Sequence, residues 1–205
     1  MTVNANEKNT ALDMQEVIQL GKINPFRDEN GKMLPESVSE ITHMIIGGMS
    51  QGMIIRGRNS KNPVILYVHG GPGIPEYAFG SKFRILLEQE CTICWWEERG
   101  AGISYHPKIP GETMTLNQMI NDTIEVANYL RKRFDKEKIY LMGSSWGSLI
   151  GAYVASLRPD LFYAYIGISQ VSNQFESVKT AYDYMLKISE KNGDRVSVSK
   201  LKKYR

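Results

Sequence analysis

One serine stands in a glycine-flanked string that suits covalent catalysis, Gly143-Ser144-Ser145-Trp146-Gly147. The string follows an apolar run of strand length and precedes a helical pattern, which is the context in which G-x-S-x-G exposes a hydroxyl on a strained turn. The pattern predicts that Ser145 is a nucleophile. It also predicts that the N–H group of Trp146, at the helix start, stabilises a developing oxyanion. A Ser-Gly turn without a chemical role is the less favoured alternative.

Two further glycine-bearing loops follow predicted strands. The loop 69–73, H-G-G-P-G, comes directly after an apolar run, and its glycines let the backbone approach a substrate oxygen. We expect His69 to orient this loop rather than to act as a catalyst. In the loop 96–104, W-E-E-R-G-A-G-I-S, we expect Glu98 and Arg99 to pair and to hold the loop near the nucleophile. The alternative is an exposed ion pair of little energetic weight.

Apolar segments of strand length recur along the chain with helical patterns between them. Their hydrophobicity is continuous rather than alternating, which means burial on both faces and predicts a parallel sheet flanked by helices. Two shorter stretches, separated by residues 47–51, predict an antiparallel hairpin before that sheet. The predicted parallel strands are 64–68, 91–96, 139–142 and 164–168, and the hairpin strands are 41–46 and 52–55.

Helical spacing predicts where the surrounding helices begin. The clearest helix starts at Thr115, with Gln118 reaching back to form a capping box, and Asp122 and Glu125 are expected to face water. A short helix is predicted over residues 14–21. A later helical stripe is interpreted as core packing rather than a cofactor site; it consists of Val178, Ala181, Tyr182, Met185 and Ile188.

Composition excludes several classes of function. The net charge is +3, and the excess lies in residues 186–205, without the aromatic interleaving or motif of a nucleic-acid binder. A start without a signal pattern, and no apolar stretch of about 18 residues, predict a cytosolic protein without a membrane partner. Cys91 and Cys94 are expected to be buried thiols. No side chains have metal-ligand spacing, so we expect no metal or other cofactor.

The three loops together resemble those of the prolyl aminopeptidases (proline iminopeptidases), serine peptidases of the α/β-hydrolase superfamily. In that family the strings read H-G-G-P-G, D-Q-R-G-x-G-x-S and G-x-S-W-G-S. The first and last match here through Ser148, while Glu97 and Glu98 stand where Asp-Gln is usual. The resemblance covers roughly residues 40–175, and residues 167–171 resemble the family's exit from the sixth strand into a helical cap.

The resemblance implies roles for particular residues. Ser145 is the expected nucleophile, and the N–H groups of Trp146 and Gly71 are the expected oxyanion donors. In the family the catalytic Asp and His follow the cap, in the chain order Ser, Asp, His. Only 60 residues follow Ser145 and none is histidine, so we expect both partners to be absent from this chain. His106 could replace the base, but no carboxylate is evidently placed to orient it.

The resemblance also sets expectations for organisation and function. We expect an N-terminal extension over 1–40, an incomplete α/β-hydrolase core over 41–170 that stops after about the sixth strand, and the start of a helical cap over 171–205. The expected function is a serine hydrolase, of aminopeptidase type, acting on a small peptide or an amide or ester, with the chain alone inactive. The alternatives are an esterase or amidase, and a non-catalytic binding module or half of a two-chain assembly. An open sheet edge predicts self-association.

Overall fold

The structure is a computed structural model that describes residues 23–77 and 81–203, without the side chains of residues 81–85. The helix predicted over residues 14–21 lies outside the described residues. The described residues fall into two units, of which the first ends at Gln170 and the second begins at Val171.

The first unit is built on a six-stranded sheet in the order β1-β2-β4-β3-β5-β6. β1 and β2 form an antiparallel hairpin, β2 pairs antiparallel with β4, and the remaining pairs are parallel. This arrangement confirms the predicted α/β-hydrolase fold class. The strands are β1 Val38–Ile46, β2 Met49–Gly57, β3 Val64–Val68, β4 Thr92–Trp96, β5 Ile139–Ser144 and β6 Phe162–Ile168.

Helices cover both faces of the sheet, which explains why the central strands are apolar throughout. The helices of this unit are α1 Ser81–Glu90, α2 Leu116–Arg133 and α3 Trp146–Leu157. On one face Leu66 packs in a buried cluster with Val126 of α2 and Ile150 of α3. On the other face Ile65 lies in a second cluster, against which Leu87 of α1 packs.

The start of α2 partly matches the expected capping box. Thr115 caps the helix, and its hydroxyl accepts a hydrogen bond from the Gln118 backbone N–H at 3.2 Å. The expected return bond is wrong, because the Gln118 side chain donates instead to Asp122 Oδ1 at 2.7 Å. The expectation that Asp122 faces water is also wrong, since it is fully buried, whereas Glu125 is exposed.

The second unit consists of α4, Gln174–Lys191, and α5, Arg195–Lys202. Asn173 and Asp194 cap the two helices by accepting hydrogen bonds from backbone N–H groups of their first turns. The interpretation of the α4 stripe as core is only partly right, because Val178 and Met185 are 57% and 47% exposed while Tyr182 and Ile188 are half-buried.

Along the described residues, no helix combines the length and the apolar character that crossing a membrane requires.

The outer edge of β6 leads to a prediction about association. This edge pairs with no other described strand, and Tyr163 and Ile166 are 60% and 40% exposed. We expect the 205-residue chain to self-associate here, because an open apolar strand edge pairs readily with another copy. Sedimentation velocity over a series of protein concentrations should show oligomers that grow with concentration.

A pair of variants distinguishes association through the β6 edge from nonspecific hydrophobic association. Ile166→Lys should reduce the association, because a charge on an edge strand opposes pairing. Leu157→Lys, at an exposed apolar position on α3, should leave it unchanged. A wild-type chain that sediments as a monomer at every concentration would contradict the prediction.

Candidate active site

Ser145 occupies a strained turn between β5 and α3. Its φ and ψ angles are 49° and −113°, a conformation that a non-glycine residue rarely adopts. The turn is tight because the backbone segments around it approach closely: a Cβ on Gly143 would lie 2.3 Å from the Gly147 carbonyl oxygen. A Cβ on Gly147 would lie 2.1 Å from the Val68 carbonyl oxygen. Two glycines therefore allow this turn, and Ser145 is left exposed to solvent.

The loop after β3 lies beside this serine. Its chain folds back through a hydrogen bond from the Ile74 N–H to the Gly70 carbonyl oxygen at 3.2 Å. A Cβ on Gly70 would lie 3.5 Å from Ser145 Cβ, so the two backbones adjoin. Within the described part of the chain, the N–H groups of Gly71 and Trp146 donate no hydrogen bond. Both predicted oxyanion donors are therefore available to a ligand.

His69 connects this loop to the loop after β4. The imidazole is almost fully buried, and burial lowers its pKa, which favours the neutral ring. Nε2 accepts a hydrogen bond from the Glu98 N–H at 3.1 Å, and Nδ1 then donates to the Gly70 carbonyl oxygen at 2.8 Å. Because both ring nitrogens are engaged, His69 holds the two loops in place and has no nitrogen free to act as a base.

Glu98 contacts the residue that follows the serine. Its Oε2 accepts a hydrogen bond from the Trp146 indole N–H at 3.1 Å, while Oε1 has no hydrogen-bond partner. Burial raises the pKa of Glu98 to about 8, the Trp146 bond opposes this shift, and the charge of Glu76 adds to it. The predicted pair between Glu98 and Arg99 is wrong.

Arg99 pairs instead with Asp122 on α2. Arg99 Nε and a terminal nitrogen contact the two carboxylate oxygens at 2.9 and 3.1 Å, and the same terminal nitrogen donates to the Gly47 carbonyl oxygen. Side-chain amides of Gln51 and Gln118 donate to the carboxylate at 2.7 Å each. This buried network holds the loop after β4 against the hairpin and against α2. The expected pair for this role was Glu98 with Arg99, whereas the structure has Arg99 with Asp122.

Glu76 is a neighbour of the site that the sequence analysis missed. Its Oε1 accepts a hydrogen bond from Ser144 Oγ at 3.0 Å, and its Oε2 accepts one from the Tyr67 hydroxyl. Glu76 stands outside the three glycine-bearing strings. The only signal in the sequence is a carboxylate three residues after the H-G-G-P-G loop.

The other two histidines make hydrogen bonds that do not involve Ser145. His43 Nε2 lies 3.3 Å from the Ile103 carbonyl oxygen, and His106 Nδ1 accepts from the Lys108 N–H at 3.2 Å. Both line a cleft of about 550 Å³ beside the hairpin. Every histidine of the sequence is described, and none hydrogen-bonds to Ser145. The described residues also contain no group of three His, Cys, Asp or Glu side chains that could hold a metal ion.

Comparison with known proteins identifies the family. The sequence model of the α/β-hydrolase fold matches residues 63–197, about two thirds of the chain. The chain belongs to the α/β-hydrolase family. Among curated α/β-hydrolase relatives, the probable aminopeptidase YbaC of Bacillus subtilis (strain 168) is 43% identical over 160 residues, which are 77% of this chain and 50% of YbaC. A proline iminopeptidase of Lactobacillus acidophilus is 26% identical over 58% of this chain and 40% of its own length. The chain thus spans about half the length of such relatives.

Solved structures support the α/β-hydrolase fold alone, because their sequences are distant. A proline iminopeptidase-related protein from Thermus thermophilus matches with a TM-score of 0.55 at 21% identity, over 66% of this chain and 46% of that protein. Epoxide hydrolase VrEH1 from Vigna radiata matches with a TM-score of 0.53 at 21% identity, over 65% of this chain and 40% of that protein.

The Arg99–Asp122 pair leads to a stability prediction. Asp122→Ala should lower the free energy of unfolding by about 3 to 5 kcal/mol, because it leaves the buried guanidinium without its counter-charge. Urea denaturation followed by circular dichroism measures this change. Asp160→Ala, which breaks an exposed pair with Arg158, should have no measurable effect. Equal effects of the two substitutions would show that the buried pair does not stabilise the loop.

Glu98 leads to a prediction about pH. With its folded-state pKa raised to about 8 from an ordinary 4.5, Glu98 holds a proton in the folded state that the unfolded chain releases. The unfolded state therefore binds fewer protons than the folded state between about pH 5 and pH 8. The contribution of Glu98 to the free energy of unfolding falls as pH rises through this range, by up to about 1.4 kcal/mol per pH unit.

Urea denaturation of wild type and Glu98→Gln at about pH 5, 6, 7 and 8 tests this. Glutamine mimics the neutral acid. The free energy of unfolding of the variant minus that of wild type should therefore increase with each step up in pH. Glu112→Gln, at an exposed position, should track wild type throughout. Parallel curves for Glu98→Gln and wild type would mean that Glu98 is ionised in the folded protein at these pH values.

Proposed function

We propose that the protein is a serine hydrolase of aminopeptidase type that forms an acyl-enzyme on Ser145. The observation that carries this proposal is the backbone of Ser145, held at a φ of 49° between a buried strand and a helix. Such strain persists only where the surroundings enforce it, and it is concentrated at functional sites. Here it lifts an otherwise ordinary hydroxyl into solvent at the carboxyl end of the sheet, where α/β folds bind their ligands.

The neighbouring groups supply electrostatic stabilisation for acyl transfer. When Ser145 Oγ attacks a carbonyl carbon, the carbonyl oxygen becomes an oxyanion that needs hydrogen-bond donors fixed in advance. The free N–H groups of Trp146 and Gly71 are the proposed donors, and the N-terminus of α3 adds a favourable electrostatic field. Collapse of the tetrahedral intermediate expels the leaving group and leaves an ester on Ser145, which water then hydrolyses.

Similarity to curated relatives favours an aminopeptidase over other hydrolases. The relatives named above are a probable aminopeptidase and a proline iminopeptidase. We therefore propose small peptides with a free N-terminus, including N-terminal proline, as the substrate class. A serine at this turn also disfavours the carboxylate nucleophile chemistry of dehalogenases and epoxide hydrolases.

The general base and its orienting acid are, in this proposal, supplied by residues outside these 205. Both ring nitrogens of His69 are engaged, and His43 and His106 make hydrogen bonds elsewhere. In a subtilisin-type triad the loss of the histidine lowers kcat by about 10⁶-fold, because nothing else takes the hydroxyl proton or protonates the leaving amine. The 205-residue chain alone is then at most a feeble hydrolase.

Assays on the chain and on a longer protein that carries it test this proposal. The 205-residue chain should hydrolyse proline arylamides near the background rate, with no change in Ser145→Ala. Slow labelling by a fluorophosphonate should still occur at Ser145, should vanish in Ser145→Ala and should persist in Ser177→Ala, an exposed serine of α4. A longer protein that includes the base should show fast labelling and fast arylamide turnover, both lost in Ser145→Ala.

Each of the other outcomes has a distinct meaning. Fast turnover by the 205-residue chain, abolished in Ser145→Ala, would place the base within it, with His106 the first residue to replace. A longer protein that turns over p-nitrophenyl acetate faster than any aminoacyl arylamide would be an esterase. No labelling of Ser145 in either protein would refute the serine hydrolase proposal.

A further inference from the structure

The carboxylate of Glu76, beside Ser145, differs from two of the buried acids in the described chain. Asp122 pairs with Arg99 and Glu88 pairs with Arg56, each at 2.9 Å. Glu76 is only half-buried, and among the described residues no Lys or Arg forms an ion pair with it. A cation from elsewhere can therefore reach it.

Two hydroxyl groups fix the orientation of this carboxylate. Ser144 Oγ donates to Oε1 at 3.0 Å, and the Tyr67 hydroxyl donates to Oε2. Both donors belong to strand ends, β5 and β3, so they are held rigidly by the sheet. A carboxylate accepts about four hydrogen bonds, and two are used here. Each oxygen keeps one position for a further donor.

The open side of the carboxylate faces the same space as the serine. A Cβ on Gly70 would lie 3.1 Å from Glu76 Oε1 and 3.5 Å from Ser145 Cβ, so both side chains border the space above Gly70. In an aminoacyl-enzyme the α-nitrogen is four bonds, or about 5 Å, from the Cβ of the acylated serine. An α-ammonium group can therefore enter this space and come within hydrogen-bonding distance of Glu76.

We propose that the Glu76 carboxylate binds the α-ammonium group of the substrate and so makes a free N-terminus a requirement at this site. The proposal rests on the function proposed above and names the residue that sets its specificity. Glu98 does not compete for the cation, because burial raises its pKa to about 8 and leaves it largely protonated at neutral pH. The neutral imidazole of His69 adds no repulsive positive charge.

A binding experiment separates this inference from the chemistry at Ser145. Prolinamide and cyclopentanecarboxamide have the same ring size and amide and differ in the ammonium group. Calorimetric titration of the chain at neutral pH should show at least about tenfold tighter binding of prolinamide. In Glu76→Gln, which keeps the shape, the amide oxygen accepts from one hydroxyl and the amide N–H donates to the other. The preference should then fall at least about fivefold while cyclopentanecarboxamide binding is unchanged. Glu112→Gln is the matched control and should behave as wild type.

Each alternative result is decisive. Equal binding of the two amides by wild type, or a preference that survives in Glu76→Gln, overturns the inference. Loss of binding of both amides in Glu76→Gln with an unchanged melting temperature would assign Glu76 to shaping the pocket and would also overturn it. Ser145→Ala should retain the preference for prolinamide. Failure of fluorophosphonate labelling would count against the hydrolase proposal while the binding result for Glu76 stands separately.

Discussion

The close approach of α3 to the end of β3 is the constraint on which the site depends. Gly147 lies so near the carbonyl oxygen of Val68 that any side chain there would collide with it. The helix must therefore begin directly at the end of β5, without a relaxed connection. Ser145 absorbs the whole change of direction in its own backbone, at a cost of about 1 to 3 kcal/mol. Burial of Ile150 and Val154 on α3 offsets this strain.

A second layer of the site is held by polar groups rather than by apolar packing. The loop after β4 contributes Glu98 to Trp146 and Arg99 to Asp122, and its backbone fixes the imidazole of His69. These contacts are buried, so removing one partner leaves the other as an unpaired polar group in a low-dielectric interior, which is costly. The loops around Ser145 are therefore connected to one another by hydrogen bonds. The position of the Ser145 side chain thus depends on residues far from it in sequence.

Hydrophobic pattern was enough to predict the sheet, because strands buried on both faces are apolar throughout. The strings around Ser145 likewise predicted the strained turn, since few sequences tolerate it. Asp122 was assigned to the surface because helical periodicity places a charge on the polar face unless a partner is known. That partner, Arg99, lies on a loop whose path depends on the complete fold. Glu76 was missed for the same reason, since only folding brings it over Gly70.

The sheet order has a consequence for how the chain folds during synthesis. The hairpin of β1 and β2 pairs neighbouring segments, so its pairing is local and needs only about 1 to 10 μs once both strands have emerged. β3 follows it in sequence but is separated from β2 by β4 in the sheet. The nascent chain must therefore keep an apolar strand unpaired until residues 92–96 emerge and insert between the two. At about 5 to 20 residues per second this wait lasts for seconds, during which the apolar β3 is open to non-native contacts.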